Sequence, residues 1–507
     1  MNAATARTQV LERHLPDEGA TARLGEDLAM ALRAGDVLAL SGDLGAGKTT
    51  LARGLIRAMA GNEGLDVPSP TFTLVQSYDT RVPLNHFDLY RLGSPDELDE
   101  LGLDEMLATG AALIEWPERA EGHLPEGTLS VELAHEGEGR LARITGSGPA
   151  FERIARSIAM RDFLARAGWG EARRRYFTGD ASARSYETVT LPGEQARVLM
   201  NSPRLVLGPP VRDGKPYAEI AHTAQSVAAF MAIDRALAKG GISVPEIFAQ
   251  DLEKGFLLIG HLGSENFLDG EGRPVAERYA AAAELLAEIH GKDWPSRLEA
   301  APGLDHDVPP FDRDAMMIEV ELLVDWYVPY ATGRPAGEAL RTGFRAAWDA
   351  AFDRLDRAEK SLVLRDFHSP NIIWRAERKG HDRLGIIDFQ DALVGPAAYD
   401  VASLAMDARV TVPPDVQKTT VDAYVAARKS QGGFDEEAFA EAYAIMAAQR
   451  NSKILGIFVR LNERDGKPAY LKHLPRIRNY LERGLAHPAL AGLRDFYLRN
   501  GLIGGTA

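Results

Sequence analysis

The stretch "SGDLGAGKTTLARGL", residues 41–55, decides the fold of the first part of the chain. Three glycines and a lysine stand just ahead of a helical pattern. The run Gly42-x-x-x-x-Gly47-Lys48-Thr49 fits the phosphate-binding P-loop, in which backbone N–H groups wrap the nucleotide phosphates and the lysine neutralises their charge. The flanks supply the order the loop requires. "DVLALSG" is a β-favouring apolar run, and "TTLARGLIRAMAG" sets Leu51, Leu55 and Met59 on one helical face, so strand, loop and helix follow one another with the helix N-terminus aimed at the anion. Gly42, Asp43, Gly45, Ala46, Gly47, Lys48, Thr49 and Thr50 are therefore candidates for binding ATP. Lys48 is expected on the β/γ-phosphates and the Thr49 hydroxyl on Mg²⁺. A second acidic group should share the metal, and Asp88, after the apolar run of "PLNHFDLYRL", stands in a suitable place; a lone Asp at a strand end is also a common turn former.

At 507 residues the chain is too long for one ordinary core, and two to four domains are expected. Hydrophobic residues at 45% and charged residues at 26% are near globular averages, which excludes wholesale disorder and fibres. No apolar stretch approaches the ~18 residues of a membrane span, and "MNAATARTQVLERH" has no secretory apolar core, so a cytoplasmic protein without a membrane partner is expected. The absence of cysteine excludes disulfides, thiol catalysis and cysteine metal sites. A formal net charge of −15 argues against binding nucleic acid through the whole surface.

Turn-rich segments divide the chain. A first domain is expected over residues 1–148, because "GTLSVELAHEGEGRLARITGSGP" alternates like a strand pair and ends in a Gly/Ser/Pro stretch. A second is expected over 150–490, opening with the helix "AFERIARSIAMRDFLARAG", whose Ile154, Ile158, Phe163 and Leu164 recur at three and four residue spacing. Residues 491–507 read as a C-terminal tail, frayed at "NGLIGGTA".

A second phosphate-handling constellation lies in "SLVLRDFHSPNIIWRAERKGHDRLGIIDFQDALVGPAAYDVASL", residues 361–404. Asp366 is followed five positions later by Asn371, then by a strand, a polar turn and a second strand that ends at Asp388. This is the catalytic spacing of the kinase fold, with one Asp accepting the proton of an attacking hydroxyl while an Asn and a second Asp hold Mg²⁺ on the phosphates. A hairpin is needed to return Asp388 beside Asn371. Without it, all three would be turn and strand-end residues. Asp400 is expected to fix the catalytic loop through backbone N–H groups. Upstream, "FTGDASARSYETVTL" reads as a turn between strands that covers ATP phosphates with Gly179 and the backbone around Ser182. Met200 occupies the place where kinases carry a strand lysine; Arg184 or Arg197 are the candidates to supply the charge instead. After "DFQDA" there is no room for an activation segment, which excludes a protein kinase.

Two family resemblances follow from these motifs. "GDLGAGKTTLARGL", "SPTFTLVQSY", "HFDLYRL" and "IEWPER" resemble, in order and spacing, the TsaE-type small ATPases of tRNA threonylcarbamoyladenosine synthesis, over about residues 8–145. That resemblance implies ATP and Mg²⁺ at Lys48 and Thr49, metal at Asp88, a switch-like loop at Thr71, and hydrolysis at Glu115 with Trp116. It also implies TsaB- and TsaD-like partner proteins that modify adenosine 37 of certain tRNAs, with tRNA itself contacted only indirectly. Taken alone, Glu115 and Trp116 would be a strand-end acid and a core aromatic. "GDASARSY", "LRDFHSPNIIW", "IIDFQDALVGPAAYDVASL" and "NSKILGIFVRLNERDGKPAYLKHLPRIRNYL" resemble the AmgK-type sugar kinases of the aminoglycoside phosphotransferase group, over roughly 155–490. This implies phosphorylation of the anomeric hydroxyl of N-acetylmuramate or N-acetylglucosamine in peptidoglycan recycling, with Asp366 as base and Asn371 and Asp388 on Mg²⁺. Asp391, Arg460, Arg464 and Asp465 are candidates for lining the sugar pocket, and Leu364 replaces a histidine common in relatives. The expected fold class is α/β, a P-loop NTPase domain followed by a bilobal protein-kinase-like α+β domain. The alternatives are an aminoglycoside or other small-molecule kinase in the second half and a nucleotide-dependent assembly module, without needed turnover, in the first.

Overall fold

The computed structural model describes residues 7–95, 97–120, 122–177 and 184–504. By contact the chain forms two compact units: the first runs to Asn201 and takes in Ile247–Asp251 and Phe256–Gly260, and the second comprises the rest.

The first unit opens with β1 (Gln9–Leu15), α1 (Glu18–Ala31), β2 (Val37–Ser41), α2 (Lys48–Ala60), β3 (Val75–Tyr78), β4 (Leu84–Asp88), β5 (Ala111–Glu115), β6 (Leu129–Glu136) and β7 (Gly139–Gly146). These strands build one sheet in the order β1-β7-β6-β2-β5-β4-β3. β2 is parallel to both β5 and β6, and β4 is parallel to β5. The "LALS" and "AALIE" runs are apolar at nearly every position because these central strands are covered on both faces. Parallel register brings the C-terminal ends of β2, β4 and β5 together, with Glu115 opposite both Leu40 and Asp88, and it is past such ends that α/β sheets bind ligands.

The helix Gly148–Arg166 buries Ile154, Ile158, Phe163 and Leu164, as its spacing predicts. Its stripe serves two cores. Phe151, Ile154 and Ile158 join the core of the seven-stranded sheet, whereas Met160, Phe163 and Leu164 pack with Trp169, Leu199 and Phe256 under a second sheet. That sheet is antiparallel and five-stranded, ordered Ile247–Asp251, Phe256–Gly260, β10 (Arg197–Asn201), β9 (Ser185–Thr190) and β8 (Arg173–Phe177). The expected break at residues 148–150 is thus the start of a helix that fastens the two sheets together, and the division by contact falls elsewhere.

The second unit is mainly helical. Its helices include Val227–Lys239, Arg313–Val320, Ala398–Ala405 and the long Glu436–Glu463; two small hairpin-like pairs, Lys360–Val363 with Leu393–Pro396 and Ile372–Trp374 with Leu384–Ile386, carry the catalytic loop. The expected tail is corrected here. Residues Ala491–Arg499 form a helix, and its Tyr497, fully buried, shares its hydroxyl with Trp348 Nε1 at 3.1 Å and Ser452 Oγ at 2.9 Å. Leu502 and Ile503 are buried as well, so apolar residues anchor a segment whose glycines resemble a loose end. Among the described residues, no helix is long and apolar enough to cross a membrane.

Candidate active sites

The P-loop bends through three glycines with positive φ, 134° at Gly42, 79° at Gly45 and 107° at Gly47. A Cβ on Gly42 would run into the carbonyl oxygen of Leu133, so this position needs glycine both for its dihedral and for space. Lys48 folds back over the loop, its Nζ donating to the carbonyls of Gly42 at 2.7 Å and Asp43 at 3.0 Å and lying 3.8 Å from the centre of the Trp116 ring. Burial pushes the Lys48 ammonium down from its ordinary value, against the pull of Glu115, Glu118, Asp88 and Asp43. Arg140 Nε donates to the Ala46 carbonyl at 3.1 Å and braces the loop from β7.

A cavity of about 500 Å³ opens above this loop, and its lining gathers Lys48, Thr49, Thr50, Thr71, Asp88 and Glu115. Asp88 accepts from Ser69 Oγ at 2.5 Å and Thr71 Oγ1 at 2.7 Å, so the "SPTF" loop is tied to the carboxylate at the end of β4. Glu115 accepts from Thr49 Oγ1 at 3.4 Å, and its other oxygen lies 2.9 Å from Nε2 of His86. His86 is fully buried, and among the described residues its Nδ1 has no hydrogen-bond partner. The acid therefore hangs between the first turn of α2 and strand β4. Trp116, immediately after it, has φ 60°, a left-handed conformation unusual for an aromatic residue, which turns the ring under Lys48.

The second constellation converges too. The Ile372–Trp374 and Leu384–Ile386 strands pair Ile372 with Ile386, and Ile387 N donates to Asn371 O at 3.0 Å. Asn371 Nδ2 is then 3.3 Å from Asp388 Oδ2 and donates to Asp366 O at 2.9 Å. Asp388 has φ 61° and accepts from Gln390 Nε2 at 2.9 Å. Asp400, fully buried, accepts from Leu364 N at 2.6 Å and Arg365 N at 2.9 Å, the fixing role its position predicts. The turn needs fixing because Arg365 sits at φ 70°.

Behind Asp366 lies a buried charge group. Glu319 is fully buried and takes Lys453 Nζ at 2.6 Å, Gln449 Nε2 at 2.9 Å and the guanidinium of Arg365. Lys453 also donates to Tyr399 OH at 3.3 Å. Burial pushes the Asp366 carboxyl up, but surrounding positive charge, led by Lys453 and including Arg365 and Arg450, holds it below its ordinary value. Burial drives His368 down to about 4. The result is an ionised carboxylate at the head of a loop, beside two oxygen-bearing side chains of the kind hard cations prefer.

The remaining expected residues fare differently. Gly179 and Ser182 lie outside the described residues. Arg184 stands immediately before β9, while Arg197 is stacked between Trp169 at 4.3 Å and Phe248 at 3.6 Å. Met200 and Leu364 are fully buried apolar residues. Arg464 and Asp465 pair with one another at 2.7 Å; Arg460 lies over Tyr217 at 5.2 Å, and Asp391 caps Ala224 N at 2.6 Å. Sequence reasoning missed His86, Ser69, Glu319, Lys453 and Gln390. His86 carried a usable signal, since it is two residues from Asp88 on one strand and the two must share a face.

Comparison with known proteins gives these two sites their families. Residues 15–143 match the model of the threonylcarbamoyl adenosine biosynthesis protein TsaE, and residues 173–441 match the phosphotransferase enzyme family. The chain is 34% identical over 355 residues to an N-acetylmuramate/N-acetylglucosamine kinase of Caulobacter vibrioides, covering 68% of this chain and 96% of that protein. It is 32% identical to the protein of the same name from Pseudomonas putida, covering 66% of this chain and 91% of that one. It is 39% identical over 137 residues to the tRNA threonylcarbamoyladenosine biosynthesis protein TsaE of Haemophilus influenzae, covering 26% of this chain and 85% of that one. The chain belongs to both families. A TsaE domain is followed by a phosphotransferase-family domain, each of a family that uses ATP. The TsaE match holds Lys48, Asp88 and Glu115, and the phosphotransferase match holds Asp366, Asn371 and Asp388.

Proposed function

We propose that the TsaE domain hydrolyses ATP in support of threonylcarbamoyladenosine formation at position 37 of tRNA, acting with TsaB- and TsaD-like proteins, and that the phosphotransferase domain phosphorylates the anomeric hydroxyl of N-acetylmuramate or N-acetylglucosamine in peptidoglycan recycling. In the first domain the amides of Gly42–Thr50 and the Lys48 ammonium bind the phosphates. Lys48 must leave the Gly42 and Asp43 carbonyls to do so. Thr49 and Asp88 would hold Mg²⁺, Thr71 responds to the γ-phosphate through its bond to Asp88, and Glu115 orients the attacking water.

In the second domain Asp366 takes the proton of the anomeric hydroxyl, an acidic alcohol for which a weak carboxylate base suffices. Asn371 and Asp388 would hold Mg²⁺, and this donor set of side-chain oxygens suits that ion. Bound metal would neutralise charge on the β- and γ-phosphate oxygens. The observation that carries the reading is the convergence of Asp366, Asn371 and Asp388, in a chain that covers 96% of its Caulobacter relative at 34% identity.

The test is ATP consumption by the purified chain against N-acetylmuramate, N-acetylglucosamine and kanamycin. Transfer to an N-acetylated sugar, giving a sugar 1-phosphate, is expected; transfer to kanamycin alone would end the sugar reading. For the first domain, Lys48→Ala and Glu115→Ala are introduced into a cell lacking its own TsaE. Restoration of the tRNA modification by both variants would make turnover unnecessary.

A further inference from the structure

Neither phosphate site uses Glu26, Asp27, Arg161, Arg174 or Glu187, yet all five are buried or nearly so. Arg174 on β8 is 1% exposed and grips Glu187 on β9 with both arms of its guanidinium, Nε to Oε2 at 2.6 Å and NH2 to Oε1 at 2.8 Å. Its third nitrogen reaches Asp27 on α1 at 2.7 Å, and its backbone N donates to Glu26 on α1 at 2.7 Å. Arg161, on the bridging helix, holds the same two acids, Glu26 at 2.5 Å and Asp27 at 2.9 Å. Two more contacts fasten β8 to the P-loop side. Arg173 pairs with Glu63 at 2.7 Å, and Arg81 lies over Tyr176 at 4.7 Å while donating to the carbonyls of Ala29 and Leu32 at the end of α1.

The other face of this clamp leads to the nucleotide. α2 starts at Lys48, and it lies on α1 with no side chain between the backbones at two points. A Cβ on Gly25 would come within 2.8 Å of Leu55 N, and one on Gly54 within 2.5 Å of Ala22 O. Such a contact leaves the helices no room to slide independently, because packed backbone is not compressible. Gly25 is also the residue next to Glu26. Displacement of α2 therefore moves the acids that hold β8. Losing one member of a buried ion group leaves an uncompensated charge, so the clamp favours one register of the two sheets over all others.

We propose that the acidic face of α1 is an interface whose partner is the sheet of this chain's own phosphotransferase half, and that it couples nucleotide binding at the P-loop to the β8–β9 pair. Coupling of this kind is reciprocal, so a change imposed on the β8–β9 pair alters nucleotide affinity at the P-loop. The pairing of a tRNA-modification ATPase with a kinase then has a physical consequence beyond shared expression.

The experiment is amide hydrogen exchange on the full chain, with and without AMP-PNP and magnesium, read at residues 173–177 and 185–190. Wild type is expected to show a several-fold slowing there, of which Lys48→Ala loses a distinct part, since only the P-loop site is disabled. The Glu26→Gln/Asp27→Asn variant is expected to lose that same part while still binding nucleotide at the P-loop. Where that variant does not fold, Arg161→Lys, which keeps the charge but not the fork, takes its place with the same expectation. Equal slowing in wild type and Lys48→Ala would overturn the proposal, as would a Lys48-dependent part that survives removal of the clamp.

Discussion

On the function proposed above, the chain solves one problem, the holding of a triphosphate, twice and by opposite means. In the TsaE domain the proposed cradle is backbone: a few contiguous residues whose glycines adopt positive φ, the conformation that lets a loop wrap an anion with its amides, with one lysine added. In the phosphotransferase domain it is side chain: Asp366, Asn371 and Asp388 sit at separate points of one short stretch, where a hairpin returns Asp388 to Asn371 and Asp400 and Glu319 hold the turn at Arg365. The first cradle depends on conformations only glycine adopts easily. The second depends on a scaffold of buried charge, so it should be vulnerable at residues that touch no substrate.

The sharpest test of that contrast is Asp366→Asn. Phosphate transfer to the proposed sugar acceptor should fall by roughly 10²–10⁴-fold, the usual worth of a positioned base, while ATP hydrolysis by the TsaE domain persists. Loss of both activities would mean the two cradles are not separate. Lys48→Ala should lower TsaE-domain hydrolysis by about 10²-fold, as for removal of one strong electrostatic donor, with sugar-phosphate kcat at saturating ATP retained. Lys453→Met comes next. It should reduce the phosphotransferase kcat by about tenfold more than it raises the KM for ATP, and Lys453→Arg should restore part of the loss, because Lys453 acts through Asp366 and Glu319. A Lys453→Met effect that is as large on top of Asp366→Asn as alone would remove that reading.

A stability measurement addresses a buried acid outside both cradles. Asp234, on the helix Val227–Lys239, is 4% exposed, and burial pushes its carboxyl up to about 8. The unfolded chain loses this proton near the ordinary carboxylate value and the folded chain keeps it. The contribution is therefore complete below about pH 4 and is lost as pH rises toward 8. Asp234→Asn should flatten that decline, raising stability at pH 8 by a few kcal/mol at most in urea unfolding. The smallest effect is expected at Arg464→Ala, which breaks an exposed pair and should cost less than about 0.5 kcal/mol.

The local geometry of both candidate sites was legible, but for different reasons. The P-loop could be read because its chemistry is local: spacing alone sets the strand, the turn and the helix, and the structure returns all three. Asp366, Asn371 and Asp388 were legible because the two strands between them are short and bounded, which leaves a hairpin as the economical path. What escaped reading is whatever arrives from elsewhere in the chain. Glu319 comes from one helix and Lys453 from another, and nothing in "MMIEVE" or "NSKILG" marks a residue as the neighbour of a distant loop. The helix Ala491–Arg499 was misread for the same reason, since the partners of Tyr497 lie at Trp348 and Ser452. The division near residue 150 followed a real strand end at Gly146; the helix beyond it, however, serves two cores, and periodicity cannot say which core a stripe enters.

The placement of Trp116 has a practical corollary. With the Lys48 ammonium resting 3.8 Å from its ring centre, this indole sits in a local field that vanishes when the lysine swings away to meet phosphate. Its emission should change at the moment of nucleotide arrival, which gives the TsaE domain a built-in fluorophore for stopped-flow work without any label.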